Sequence, residues 1–388
     1  MTRPFHAVIM AGGQGQRFWP LSTPERPKQF LDLESRGRTL IQATYDRVLP
    51  LAGSAERVLV ATVERYFDLV REQLPELPES NILVEPTPRD SAPAVALAAL
   101  TVHHRHGDVV TGFFSSDHKI GDGFAEVIGR AAAVADELGG LVTVGITPDR
   151  AATGYGYIEL GEEVRAPGAA TSPREFEPGH PTASTPGSPG PVYRVKRFVE
   201  KPSARTAEEY LVSGRHLWNA GIFVWRTRSV LDELDRHAPE LMRPLSEAFA
   251  AGQVAEVFPK LSPISIDYAL MERTDRAYVV PGNFAWDDIG DWVALGRLAE
   301  AQGGSVSGNA LLLAELGQYI SKDGSGNIIY LEDPQDVVVT LGVHDLVVVK
   351  RGNALLLVHK ERVQEIKTLL EDERLVRLLE ENGAKGRK

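Results

Sequence analysis

The chain of 388 residues contains no cysteine. Disulfides and thiolate zinc sites are therefore excluded, and a cytoplasmic setting is the expected one. No apolar run reaches the roughly 18 residues that a membrane-spanning helix needs, so no membrane association is expected. The opening MTRPFHAVIM enters an apolar stretch at once and lacks the basic head, apolar stretch and small-residue site of a secretory leader. Basic residues are in deficit, 42 Lys and Arg against 53 Asp and Glu, for a net charge of −11. A general nucleic-acid binder shows the opposite balance, so no nucleic-acid partner is expected. An acidic surface repels polyanions at long range. Any phosphate ligand must then be held locally, by loop amides, a few Arg and Lys, and a divalent cation. The remaining composition, 43% hydrophobic and 24% charged, is that of an ordinary globular protein with room for one large or two moderate domains.

The most informative stretch is 8–30, VIMAGGQGQRFWPLSTPERPKQF. A short apolar run ends at Ala11 in a loop rich in glycine. Gly12, Gly13 and Gly15 let backbone N–H groups approach a ligand closely. Arg17 and Lys28 add positive charge with donors suited to phosphate. Two familiar glycine loops do not fit. A Walker A loop places Lys and Ser or Thr directly after its last glycine, whereas Gly15 is followed by Gln16 and Arg17. The dinucleotide fingerprint needs a glycine where this chain has Phe18.

What remains is G-G-x-G-x-R-x-W-P-L-S followed by P-K-Q-F. This string closely resembles the signature of the sugar-1-phosphate nucleotidyltransferases, and Trp19 with the Lys28-Gln29-Phe30 ending is similar to their mannose-1-phosphate guanylyltransferase branch. The resemblance implies transfer of GMP from GTP to mannose 1-phosphate, giving GDP-mannose and pyrophosphate with Mg²⁺. The attacking phosphate is already an anion and needs no general base. The two polyanions must be brought together and their repulsion neutralised. Arg17 is then expected on the β- and γ-phosphates and Lys28 on the α-phosphate, with the Ala11, Gly12, Gly13 and Gly15 backbone around them.

Other strings match the same family. Asp117, in Ser115-Ser116-Asp117-His118, and Asp288, in Trp286-Asp287-Asp288-Ile289-Gly290, are the metal carboxylates that the resemblance implies, Asp117 also facing the nucleotide. A helix or turn cap is the competing reading of Asp117. Phe198-Val199-Glu200-Lys201-Pro202 supplies Lys201 for the sugar phosphate and Glu200 for sugar hydroxyls. Gly156 and Asn219 complete the sugar side, because an amide both donates to and accepts from vicinal hydroxyls. Glu85, Arg89 and Ser91 lie in a stretch that opens a helix, where free N–H groups can read a base edge or hold phosphate. Here Asp90 replaces the usual Asn of the family, and it is also a natural helix cap. His103, His104 and His106 are set aside as a metal site, since cations at a helix C-terminus are favoured anyway. Lys322-Asp323-Gly324 is set aside likewise.

Short β-rich runs at 6–10, 57–61, 81–85, 109–115 and 141–146 alternate with helical patterns at 40–51, 65–74, 92–106 and 124–138. The alternation predicts an α/β fold, a Rossmann-like domain with a mixed, mainly parallel sheet covered by helices. Ligands bind at the carboxyl ends of such strands, where the glycine loop, Glu85 and Asp117 all fall. An edge hairpin at 155–159 and 192–200, a buried strand at 217–225 and helices ending at 237, over 264–272 and over 291–301 follow. Between the hairpin strands, 166–191 holds seven Pro and four Gly and reads as a disordered insertion. Close-spaced β runs at 309–313, 327–330, 336–340, 346–350 and 354–359, then a helix over 360–381, predict a small β-rich, β-helix-like C-terminal domain. The expected division is therefore 1–302 and 303–388. The resemblance further implies a homodimer. Many relatives carry an isomerase domain beyond this point, and the length here predicts no isomerase activity. Other base or sugar specificity (UTP, dTTP, glucose 1-phosphate) and a catalytically silent nucleotide-sugar sensor are the competing functions.

Overall fold

The computed structural model describes residues 4–34, 36–164, 190–301, 303–306, 308–312 and 318–385. The expected insertion at 166–191 lies outside the described residues except for Gly190 and Pro191. Two compact units emerge: Met1–Gly12 with Ile41–Trp286, and Gly13–Leu40 with Asp287–Lys388.

The first unit is built on a nine-stranded sheet. Its strands are β1 (Phe5–Met10), β2 (Val58–Val63), β3 (Ile82–Glu85), β4 (Val110–Ser115), β5 (Leu141–Ile146), β6 (Tyr157–Val164), β7 (Val192–Val199), β8 (His216–Arg226) and β9 (Ala277–Gly282). They lie in the order β3-β2-β1-β4-β8-β5-β9-β7-β6. Parallel pairing joins β3, β2, β1 and β4, and again β5 with β9. The strands β8 and β7 run against their neighbours, so the sheet is mixed with most strands in one direction, as expected. Every residue of β2 (VLVATV) and of β5 (LVTVGI) is buried. Such unbroken buried runs, apolar but for Thr62 and Thr143, are what central strands covered on both faces require.

The helices follow the same logic. In α4 (Phe124–Leu138), Phe124, Val127, Ile128, Ala131, Val134 and Ala135 are buried at helical spacing. Gly139 ends it in the left-handed region, at φ 63°. The Ala-rich α3 (Ser91–His106) buries ten residues in a core shared with Val8, Phe113, Phe223 and Trp225. Two expectations need correction here. The 264–272 stretch is helical as expected but over Asp267–Met271 alone, and as a wide π-helical turn. The helix Pro239–Ala251 and the strand β9 were not anticipated. Among the described residues, no helix is long and apolar enough to cross a membrane.

The second unit contains a five-stranded sheet of β10 (Ser305–Val306), β11 (Asn309–Leu312), β13 (Ile328–Leu331), β15 (Leu346–Arg351) and β16 (Ala354–His359) in that order. A separate parallel pair joins β12 (Gln318–Lys322) to β14 (Val337–Leu341). Successive parallel coils stack β11, β13 and β15. Buried Asn309 accepts from Asn327 Nδ2 at 2.9 Å, and Asn327 Oδ1 accepts from Leu346 N at 3.0 Å. This amide ladder is the internal brace of a β-helix-like stack. The core also takes in Phe18, Leu21, Leu31, Leu33 and Leu40, together with Trp292 and Leu295. The 13–40 stretch and the helix Trp292–Ala301 thus pack with the C-terminal strands, which an expected boundary at 302 in chain order does not anticipate. The predicted single terminal helix is broken, into Lys360–Glu365, Ile366–Leu369 and Glu373–Lys385.

Candidate active site

The glycine loop divides between the two units. In the first, Ala11 leaves β1 with its N–H donating to Ala61 O at 2.7 Å and its carbonyl accepting from Thr62 Oγ1 at 3.0 Å. Gly12 follows, and a Cβ there would stand 3.4 Å from Glu85 Oε1. Glu85 itself is buried, and burial pushes its carboxyl up to about 7.

In the second unit, Gly15 adopts φ 56°, and a Cβ on it would lie 2.5 Å from Lys28 Cβ and 2.7 Å from Lys28 N. Only glycine fits, because the opposing atoms are backbone or backbone-proximal. The loop is tied down from several sides. Ser22 Oγ donates to Gly15 O at 2.7 Å, and Gln29 Nε2 donates to Gly13 O at 2.8 Å. Lys28, only 5% exposed, donates from Nζ to the Asp288 carbonyl at 2.6 Å. Arg17 is exposed, while the adjacent Phe18 is buried against Trp292, ring centroids 5.3 Å apart. Trp292 Nε1 donates to Trp19 O at 3.3 Å. Arg351, at the end of β15, donates to Pro20 O and Leu21 O at 3.2 and 2.6 Å.

The two acidic turn residues have different surroundings. Asp287 is buried, accepts from Ile289 N at 2.7 Å and pairs with Arg297 at 3.3 Å. Asp288 is half-buried, and its Oδ1 accepts from Gly290 N at 3.1 Å. Asp291 caps the next helix through Ala294 N at 2.9 Å.

At the start of α3, Asp90 takes φ 65° and accepts from Ser91 N at 2.7 Å. Ala92 N donates to Ile264 O at 3.0 Å. The first two amides of the helix are therefore already paired, and the expectation of free N–H groups does not hold for them. Ser91 Oγ accepts from Ile266 N at 2.9 Å. Arg89 turns its guanidinium to the Pro259 carbonyl, and its Nε is buried without a partner.

Four residues expected at the sugar converge around β6, β7 and β8. A Cβ on Gly156 would stand 2.5 Å from Glu200 Oε2 and 3.3 Å from Asn219 Cβ. Glu200 Oε1 pairs with Lys201 Nζ at 2.8 Å. The ammonium is held above its usual range by that carboxylate. Lys201 takes φ 48°, a strained conformation of the kind kept at functional sites. Asn219 Oδ1 accepts from Gly221 N at 3.1 Å and from Thr143 Oγ1 at 3.2 Å. Its Nδ2 donates to Asp267 Oδ1 at 3.1 Å. Beyond β4, Asp117 is part-exposed and stands 3.9 Å from His118 Nε2, whose other nitrogen accepts from Trp286 Nε1 at 3.3 Å.

Asp267 and His118 complete these groups and were not singled out from the sequence. Asp267 had a visible signal, a carboxylate set among the buried Ile266, Ala269 and Leu270. His103, His104 and His106 do not converge. They contact Thr227, Phe249 and His6 respectively.

The nucleotidyl transferase family matches residues 6–302, and the MannoseP isomerase/GMP-like beta-helix domain matches 317–372. The mannose-1-phosphate guanylyltransferase ManC of Salmonella typhimurium is 35% identical over 380 residues, which cover 94% of this chain and 72% of that one. The mannose-1-phosphate guanylyltransferase of Klebsiella pneumoniae is 36% identical over 378 residues, covering 94% and 73%. Among solved structures, a mannose-1-phosphate geranyltransferase from Thermus thermophilus aligns with a TM-score of 0.78 at 34% identity, covering 96% of this chain and 99% of that one. Fold and matches together define a nucleotidyltransferase. Within that class, the chain belongs to the mannose-1-phosphate guanylyltransferase family.

Proposed function

We propose that this chain transfers GMP from GTP to mannose 1-phosphate, releasing pyrophosphate and forming GDP-mannose. The observation that supports the reading is the convergence of Gly156, Glu200, Lys201 and Asn219, the residues expected to take the sugar phosphate, in a chain over a third identical to proteins named mannose-1-phosphate guanylyltransferase. A phosphate oxygen of mannose 1-phosphate attacks the α-phosphorus in line. That bond forms as the bond to the β-phosphate oxygen breaks, and pyrophosphate departs. Lys28 is held in place to meet charge growing on the α-phosphate, and Arg17 takes the β- and γ-phosphates. Lys201 orients the sugar phosphate, and Glu200 and Asn219 take sugar hydroxyls. Glu85, Arg89 and Ser91 are assigned to the nucleotide.

Asp117 and Asp288 fit Mg²⁺ in donor chemistry: each offers carboxylate oxygen, and this cation takes one or two carboxylates plus substrate phosphates. Bound there, Mg²⁺ would offset the charge of the two polyanions. The same reading expects a cytoplasmic homodimer with no nucleic-acid partner.

Pyrophosphate release tests it, with GTP, UTP and dTTP each paired with mannose 1-phosphate and glucose 1-phosphate. GTP with mannose 1-phosphate should be fastest. A preference for UTP would overturn the base assignment. No release with any pair would favour a nucleotide-sugar sensor.

A further inference from the structure

One short turn touches both the nucleotide-side loop and the sugar-side cluster of the first unit. Its lead-in is sewn to the start of α3: Ile264 N donates to Arg89 O at 3.4 Å, Ile264 O accepts from Ala92 N, and Ile266 N donates to Ser91 Oγ. At Asp267 the backbone widens, with Glu272 N donating to Asp267 O five residues back at 2.9 Å. Such π-turns recur at functional sites. The turn then presents two carboxylates to the sugar side. Asp267 Oδ1 accepts from Asn219 Nδ2, and Glu272 Oε1 accepts from Glu200 N at 3.2 Å.

The amide of Asn219 is thereby fixed at both ends. Its oxygen faces the Gly221 N–H and a Thr143 hydroxyl that it shares with Ile222 O at the same 3.2 Å, and its nitrogen faces one acceptor. Turned over, it would set N–H against N–H and oxygen against carboxyl. We propose that Asp267 is a positioning residue for the sugar phosphate, holding the Asn219 amide in the one orientation that offers its second N–H to a sugar hydroxyl. The inference rests on the sugar-side assignment of Asn219 made above. Asp267 also sits among Glu200, Lys201 and Asp90, and burial followed by the Glu200 charge pushes its carboxyl up to about 7. A carboxyl kept there at electrostatic cost needs a reason, and orientation of a recognition amide supplies one.

A double-mutant cycle decides the matter. At pH 8, where the Asp267 carboxyl is ionised, Asp267→Ala should raise KM for mannose 1-phosphate roughly tenfold or more, the loss of a hydrogen bond to a charged group. KM for GTP should stay within about twofold. Asp267→Asn, whose amide oxygen still accepts from Nδ2, should restore most of the affinity. The pair Asn219→Ala/Asp267→Ala should be no worse than Asn219→Ala alone. Independent, additive losses would overturn the proposal, as would an equal rise in KM for GTP or no effect of Asp267→Ala. If the alanine variant fails to fold, Asp267→Ser gives the same reading with a polar side chain too short to reach. The wild-type chain is assayed first with both sugar phosphates. A preference for glucose 1-phosphate would refute the mannose assignment and leave the cycle to be read with that substrate. Binding of neither would refute both.

Discussion

The glycine loop and the sugar-side cluster hold their polar groups in opposite ways. In the loop, restraint comes mostly from backbone carbonyls: Gly13 O, Gly15 O, Trp19 O, Pro20 O, Leu21 O and Asp288 O each accept a side-chain donor. In the sugar cluster it is mainly side chain to side chain, through Glu200–Lys201 and Asn219–Asp267. Carbonyl anchors fix the path of a loop, and although the amides of Ala11, Phe18, Trp19, Leu21 and Ser22 are themselves spent on backbone carbonyls, a fixed path with Arg17 and Lys28 on it suits a polyphosphate. Mutual side-chain pairing fixes the orientation of recognition groups, which suits a ring with several hydroxyls. Both are forms of preorganisation, which is where electrostatic catalysis gains most.

Breaking the loop should therefore cost the most. Lys28→Ala should lower turnover about a hundredfold or more, the usual loss for a preorganised donor to developing charge. Arg17→Ala should fall in the same range. Gly15→Ala should approach it without removing any charge, because the new Cβ collides with Lys28. Steady-state pyrophosphate release measures all three, and wild-type rates would remove the loop from the mechanism.

The next effect divides the two carboxylates by unit, Asp117 with the sheet and Asp288 with the loop. Asp117→Asn and Asp288→Asn should each raise the Mg²⁺ concentration for half-maximal rate, by roughly tenfold for loss of one charge-assisted ligand. A titration of rate against Mg²⁺ that overlays the wild type would strike that residue from the metal site. Smaller again is Arg351→Ala, which removes two donors to the loop backbone without touching substrate. A fall of about tenfold in turnover is expected, at roughly 1.5 kcal/mol per lost charged hydrogen bond shared between stability and loop order. Unchanged turnover with lowered melting temperature would reduce Arg351 to a structural brace.

The two regions also differ in how far they can be read from sequence. The loop lies within 11–30, so its glycine spacing, its cations and its separation from Walker and dinucleotide loops are all visible locally. The burial of its Phe18 among C-terminal strands is not visible, because that contact joins residues hundreds apart. The sugar cluster gathers residues 156, 200, 219 and 267 from four elements. Three came through as family strings. Asp267 did not, because its stretch scans as one face of an amphipathic helix, and the wide turn that aims the carboxylate depends on packing against α3. The alternation of β1 to α4 was legible because short runs rich in β-branched residues alternate with longer helical stretches, a difference of length and composition. The later strand β9 was not, although Pro281-Gly282 marks its end, because a buried run as short as Ala277–Val280 does not separate strand from helix by its period.

Glu85 offers the finest test of the contrast, because it is a buried acid beside Gly12 with no opposing charge behind its shift. Its folded value of about 7 exceeds the ordinary 4.5, so the folded state binds its proton more tightly. Its contribution to stability is complete below 4.5, declines as pH rises through 7 and is level above. His6 works the other way. Burial and the neighbouring His106 lower it from 6.5 to about 4, so stability falls as pH drops through that window. The two windows overlap and oppose, which flattens the wild-type profile between them. Glu85→Gln removes one side of the balance. It should stabilise the ligand-free protein at pH 8 by up to about 3 kcal/mol, at ~1.4 kcal/mol per pKa unit, and leave stability at pH 4.5 nearly unchanged. Denaturant unfolding at both pH values checks this, and an equal effect at the two would refute the burial-driven shift. If Glu85 serves the nucleotide as proposed, the same variant should lose affinity for GTP while gaining stability. A variant more stable and equally avid for GTP would free Glu85 of any nucleotide role and leave the backbone-anchored loop as the whole of the nucleotide side.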